Sequence, residues 1–251
     1  MLVTSVLGAF CIRAPGAWKG EGQKFSVLAL MRKRGRESVL YVGLALVAKA
    51  QKACYSSFFM TTWKGIIGAS FTPETFDQYC HLLHWLAWRP SFIVVHNTSV
   101  PSLAQRPNGL TKQHIRGLES YYRDNQRWSA GPHLFIDDHQ IWVFTPLTVS
   151  GVHSPSFNKL ALGIELLGDY ATEPFDTDRG KRVQANAVAA IASLSAVLGL
   201  DPATMKLHKE DPLTTHKGCP GKNVSKARII QQVQALLVER HAGEHAPVLV
   251  A

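Results

Sequence analysis

Cysteine is scarce. The chain has four in 251 residues, Cys11, Cys54, Cys80 and Cys219, too few and too scattered for a disulfide framework to hold a protein of this size. The longest apolar run, SVLYVGLALVAKA at 38–50, falls short of the ~20 residues that a membrane-spanning helix needs. The opening MLVTSVLGAFC is apolar but has no basic leader, and the basic run MRKRGR follows it instead of preceding it, so it does not read as a secretory signal. A start at Met31 would give a basic region, an apolar core and an AKA-like cleavage site, but Arg36 and Glu37 interrupt that pattern, which leaves export by this route a minor option. There is no internal repeat or low-complexity tract, and none of the tight zinc-finger or HExxH spacings.

What is present is a composition with 46% hydrophobic residues, enough for a sizeable core in one large domain or two small ones. The formal charge of +9 invites a nucleic-acid partner, yet residues 1–59 hold 9 Lys and Arg against 2 Asp and Glu, leaving 18 against 16 for residues 60–251. The excess therefore belongs to a basic N-terminal extension without periodicity, and the remaining chain, from Met60, is nearly balanced. That distribution argues against a nucleic-acid partner; a cationic tail could help approach to an anionic cell surface, and a disordered tail or a wrongly chosen start codon explains the extension equally well.

Helices and strands alternate along the balanced part. A helix is expected from Pro73 to Trp88, with Thr72 as N-cap, Pro73 at the first helical position and Arg89-Pro90 as the stop. A strand Phe92–His96 follows, then a loop rich in Ser, Pro, Asn and Gly, then a helix over 111–124. Two short strands at 133–137 and 141–145 flank Asp138-His139-Gln140 as a hairpin. LALGIELLG reads as a strand with Glu165 inside an apolar run, a carboxylate that must either have a partner or line a cavity. The three-and-four spacing of Val188, Ile191, Leu194 and Leu198 marks a helix over 181–200 ending near Gly199, then come a short strand at 204–208 and a last helix over 225–240. The fold class that follows is α/β, a central mixed sheet flanked by helices.

The chemistry concentrates in HKEDPLTTHKGCPGKN, where His208, Lys217 and Cys219 share one loop. A thiolate and a neutral imidazole are both good zinc donors, and three protein ligands leave a fourth position open for water. His96, which ends the apolar run FIVVH and precedes a polar loop, is the third candidate. These motifs, HNTS after a strand, LALGIELLGDY, and the closing H…THKGCPG, resemble in type and order the zinc-dependent N-acetylmuramoyl-L-alanine amidases, a group that includes phage-type amidases and the peptidoglycan-recognition proteins. The resemblance runs from about Phe71 to about Leu237.

The resemblance implies an amidase/peptidoglycan-recognition-like single domain, with Zn2+ held by His96, His208 and Cys219. It implies Glu165 as catalytic base, Lys217 as the cation that stabilises the developing oxyanion, and His133 and His153 beside the substrate. Its substrate would be peptidoglycan or its muropeptide fragments, acted on at the cell wall by a monomer with no stable membrane insertion. The chain departs from the family in one place: relatives lacking the glutamate carry a tyrosine in GYHF or GYNF, and the matching stretch here is GPHLF, with Pro132 in its place. Two other readings stay open, a module that binds peptidoglycan without cutting it, and an amide hydrolase with Cys219 as nucleophile and a histidine base. The CPG context and the lack of a helix start after Cys219 weigh against the nucleophile.

Overall fold

Why the apolar runs become strands is visible in their burial. Phe92–Asn97 (β2) and Ala161–Leu166 (β5) pair in parallel at the middle of a six-stranded sheet and are covered on both faces, the position in which continuous hydrophobic runs replace alternation. The computed structural model describes residues 62–244, which belong to one compact unit beginning at Thr61. The expected basic extension at 1–59 and the apolar run at 38–50 lie outside the described residues.

Leu134–Ile136 (β3) and Ile141–Val143 (β4) form the expected hairpin, and Lys206–Leu207 (β6) lies parallel to β2. Ala69–Phe71 (β1) closes the far edge against β4, giving the order β1-β4-β3-β5-β2-β6. The sheet is therefore mixed, parallel through β3, β5, β2 and β6 and antiparallel at the β4 and β1 end. β1 was not expected: three residues are too few for a strand period to show in sequence.

Four helices complete the domain. Pro73–Leu82 (α1) starts at the Thr72 capping box as the sequence predicts, but it ends six residues before Trp88. Leu83 turns extended, and the Trp85 indole N–H donates to the Cys80 carbonyl at 3.4 Å, occupying an acceptor that a continuing helix would use. Lys112–Ser120 (α2) passes into a π-helical turn at Tyr121–Asn125. Asp178–Leu198 (α3) starts one turn earlier than its apolar spacing indicates and stops at Gly199, whose φ of 68° is the left-handed cap. Lys226–Glu244 (α4) is the last helix. α3 packs on α1 and α4 and rests on β3 and β4, with Val183, Ala187, Ile191 and Leu194 among its buried residues. None of the described helices is long and apolar enough to cross a membrane.

Candidate metal centre and cleft

The register of the sheet assembles the candidate site. His96 on β2 is the direct neighbour of Glu165 on β5, and paired residues on adjacent strands point to the same face. On the other side of β2, Val94 pairs with Lys206 and Val95 with Leu207, so His208, immediately after β6, continues the register to the level of His96. Parallel strands thus deliver three polar side chains to one place at their carboxyl ends, where open α/β sheets commonly form binding crevices. Cys219 joins them because the intervening loop is closed: the Lys209 N–H donates to the Cys219 carbonyl at 3.0 Å. A ligand atom from each of His96, His208 and Cys219 lies within 4.8 Å of the others.

The hydrogen bonds show which ring nitrogen of each imidazole is already engaged. His153 Nε2 lies 3.1 Å from the Ala161 carbonyl and must donate to it, so its Nδ1 is an acceptor. His96 Nε2, 3.1 Å away, then carries the proton given to His153, and His96 Nδ1 is left as a lone pair facing the cluster, 3.9 Å from Glu165 Oε1. His208 Nε2 pairs with the Thr214 hydroxyl at 2.8 Å, which leaves Nδ1 as the ring nitrogen outside that bond. Burial first, then neighbouring histidines, holds His96 well below the ordinary imidazole range, and desolvation brings His208 and His153 down to about 4. All three are neutral at pH 7, the state in which imidazole binds metal.

Two neutral imidazoles and a thiol within 4.8 Å of one another are a donor set that zinc favours, and each histidine has the outer hydrogen-bond partner typical of a metal ligand. The residues present fit the ion. Burial and the Glu165 charge push the Cys219 thiol up to about 12. Desolvation pushes the Glu165 carboxyl up to about 8, so without a cation the cluster is electrically neutral around pH 7.

The family described as N-acetylmuramoyl-L-alanine amidase matches residues 86–222, more than half of the chain. The chain belongs to this amidase family. Among solved structures it is similar to the endolysin N-acetylmuramoyl-L-alanine amidase LysCS from Clostridium intestinale URNW, at 25% identity over 59% of this chain and 86% of that one, with a TM-score of 0.47. A mutant endolysin from Bacillus subtilis matches at 26% identity, 59% and 87% coverage and a TM-score of 0.45. Drosophila PGRP-LB matches at 21% identity, 59% and 84% coverage and a TM-score of 0.46. No curated protein matches.

In this amidase domain the other residues expected at the site divide. His153 lines the cleft but spends both ring nitrogens on His96 and Ala161, so it orients the His96 ring and has none left for substrate. His133 does not reach the cleft. It is fully buried, its Nδ1 accepts from the Gly163 N–H at 2.9 Å, its Nε2 donates to the Val149 carbonyl at 3.0 Å, and its ring stacks on Trp88. Lys217 is exposed and donates to the Asp211 carbonyl at 3.3 Å, outside the residues that line the cleft.

Tyr122 was missed. It lines both arms of the cleft together with Glu165, and its ring is held by stacking on Trp128 at 5.2 Å and by the edge of Phe144 at 5.7 Å. Burial and the Glu165 charge hold its phenol well above the usual range, hence as a neutral donor. A tyrosine on an amphipathic helix carries no signal in sequence. Asp211 was missed too: fully buried, it accepts from the Ser154 hydroxyl and the N–H groups of Ser156 and Leu213, tying the His208 loop to the His153 loop.

Proposed function

We propose that this family member hydrolyses the amide bond between N-acetylmuramic acid and L-alanine in peptidoglycan, with zinc held by His96 Nδ1, His208 Nδ1 and the Cys219 thiolate. The observation that carries the reading is the convergence of those three donors within 4.8 Å, beside Glu165 on the same face of the sheet. When bound, zinc supplies a Lewis acid and makes water nucleophilic near neutral pH.

The protein's own groups do the rest. His153 and Thr214 each hold one imidazole through its Nε2, leaving Nδ1 for the metal. Glu165 takes the proton of the attacking water and passes it to the departing amine nitrogen, a task for which it must be ionised and therefore needs positive charge beside it. The neutral Tyr122 phenol donates to the oxygen of the attacked carbonyl. It stands in for Lys217, whose amine is engaged by Asp211.

A cysteine nucleophile fits less well. A thiol raised to about 12 is not ionised at neutral pH, and histidines lowered to about 4 are too weak as bases to take its proton. The complete donor set together with Glu165 also favours an enzyme over a module that only binds. We assign the activity to residues 60–251 and its place of action to the cell wall, where the substrate is. The test is zinc content by elemental analysis alongside hydrolysis of purified wall. About one zinc per chain, with activity lost to a chelator and regained on adding zinc, supports the reading; full activity in zinc-free protein contradicts it.

A further inference from the structure

The segment that carries Tyr122 is mostly exposed. From 121 to 129 only Tyr122 and Ser129 are partly covered. The wide π-helical turn closes where the Gln126 N–H donates to the Tyr121 carbonyl at 3.0 Å. Arg127, at a φ of 56°, then turns the chain back, so that the Trp128 N–H reaches the Tyr122 carbonyl at 3.0 Å and the two rings stack. A π-turn followed by a left-handed arginine is a conformation that persists only where the surroundings hold it.

That hold comes from the coil before β1. Among the described residues, two hydrogen bonds reach 119–129 from outside this helical segment, and adjacent residues supply both. The Trp63 indole N–H donates to Glu119 Oε1 at 3.3 Å, just before the π-turn, and the Lys64 N–H donates to the Ser129 carbonyl at 2.8 Å, just after it. Glu119 Oε1 also accepts from Arg123 Nη1 at 3.4 Å, so one carboxylate oxygen ties the coil to the turn. The coil is itself anchored. Lys64 Nζ donates to the Ser150 carbonyl and hydroxyl at 2.5 and 2.8 Å, and the N–H groups of Ile67 and Gly68 donate to the carbonyls of Phe144 and Val143. Ring contacts run the same way: Trp63 meets Phe144 edge to face, centroids 6.4 Å apart, and the fully buried Phe144 lies against Tyr122 at 5.7 Å. There is no slack beyond them, since a Cβ at Gly131 would come within 2.6 Å of Phe144 Cε1 and 3.0 Å of Tyr122 Cδ2.

We infer that Trp63 and Lys64 are positioning residues for Tyr122: the coil at 62–68 clamps both ends of the π-turn and, through Phe144, sets where the phenol stands in the cleft that it shares with Glu165. The inference rests on the amidase reading above, in which that phenol donates to the attacked carbonyl. A donor that acts in the transition state loses its effect when displaced by about 1 Å. Trp63 lines neither arm of the cleft, so a change there reaches turnover through Tyr122.

The test uses the full chain with Trp63→Ala, with the milder Trp63→Phe, which keeps a ring but has no N–H, and with Glu119→Ala, which removes the acceptor. Each is made with and without Tyr122→Phe. On zinc-loaded protein Trp63→Ala should lower kcat by roughly 10- to 100-fold with KM nearly unchanged, and the two milder changes should lower it less. In the Tyr122→Phe background all three should cost little more. Chains labelled with 3-fluorotyrosine report the ring directly: the fluorine signal that vanishes in Tyr122→Phe should shift or broaden in Trp63→Ala, while tyrosines outside the π-turn keep theirs. Equal losses of kcat in both backgrounds would make Trp63 a general support of the fold, and an unmoved Tyr122 signal would show that the coil does not hold the ring; either overturns the inference. Failure of the amidase reading shows separately, as absence of wall hydrolysis by the wild type, because the fluorine signal needs no turnover.

Discussion

Glu165→Gln separates the electrostatics of the site from its catalysis. The folded protein without metal raises the Glu165 carboxyl from 4.5 to about 8 by desolvation, with the side chain only 14% exposed. A carboxyl whose folded pKa exceeds its unfolded one holds its proton more tightly in the fold. Its ionisation therefore erodes stability as pH rises from about 4.5 to about 8, with no further change above. A shift of about 3.5 units at ~1.4 kcal/mol each sets an upper limit near 5 kcal/mol, and partial access to solvent brings the expected effect to about 3 kcal/mol. Glutamine has no proton to lose. In urea titrations with chelator, the midpoints of wild type and variant should lie close together at pH 4.5, and the variant should be the more stable by about that amount at pH 9. Adding zinc should shrink the gap, because the cation favours the ionised carboxylate. Turnover of the zinc-loaded variant should fall by roughly a hundredfold or more, the scale of a lost general base, with zinc still bound. Parallel stability curves across this pH range would refute the buried-carboxyl argument, and near-normal turnover would make Glu165 structural.

Other substitutions probe the support around the cluster. Cys219→Ser replaces a thiolate by a poor ligand, so zinc affinity should drop and activity should return in part at high zinc, as read by metal titration. A Cβ at Gly163 would overlap the His153 ring; Gly163→Ala should displace that ring, release His96 Nε2 and weaken zinc binding by about 10- to 100-fold, the usual cost of a lost outer partner. Burial acts to raise the Asp211 carboxyl, but hydrogen bonds from Ser154, Ser156 and Leu213 outweigh it and bring it down to about 2 from 3.8. Its stabilisation, about 2 kcal/mol, is then complete above pH 4 and lost as pH falls through 2. Ser154→Ala should shift acid unfolding to higher pH, measured by circular dichroism.

The sequence made the centre of this protein legible because its constraints are local. An apolar run covered on both faces has little choice but a central strand, and a histidine at the end of one run with a glutamate inside another were visible oddities before the sheet register made them neighbours. Cys219 and His208 were legible as ligand types in family order, though only the closed loop brings them together. What escaped depends on contacts distant in the chain. The early end of α1 follows from one indole reaching Cys80, and β1 exists because β4 offers an edge. His133, His153 and Lys217 were expected beside the substrate or the reacting carbonyl, yet their partners are the Gly163 and Val149 main chain, His96 and the Asp211 carbonyl, none of which spacing reveals. Tyr122 gains meaning only from the cavity walls that it lines.

The central claim is the bond that is cut, and the products of wall digestion report it most directly. Purified peptidoglycan treated with the zinc-loaded full chain should release stem peptides with a new free amino terminus on L-alanine, leaving glycan strands with intact sugar linkages and free lactyl carboxyls, both identifiable by mass spectrometry. New reducing ends, or peptides cut within the stem with the muramoyl–alanine bond intact, would contradict the account.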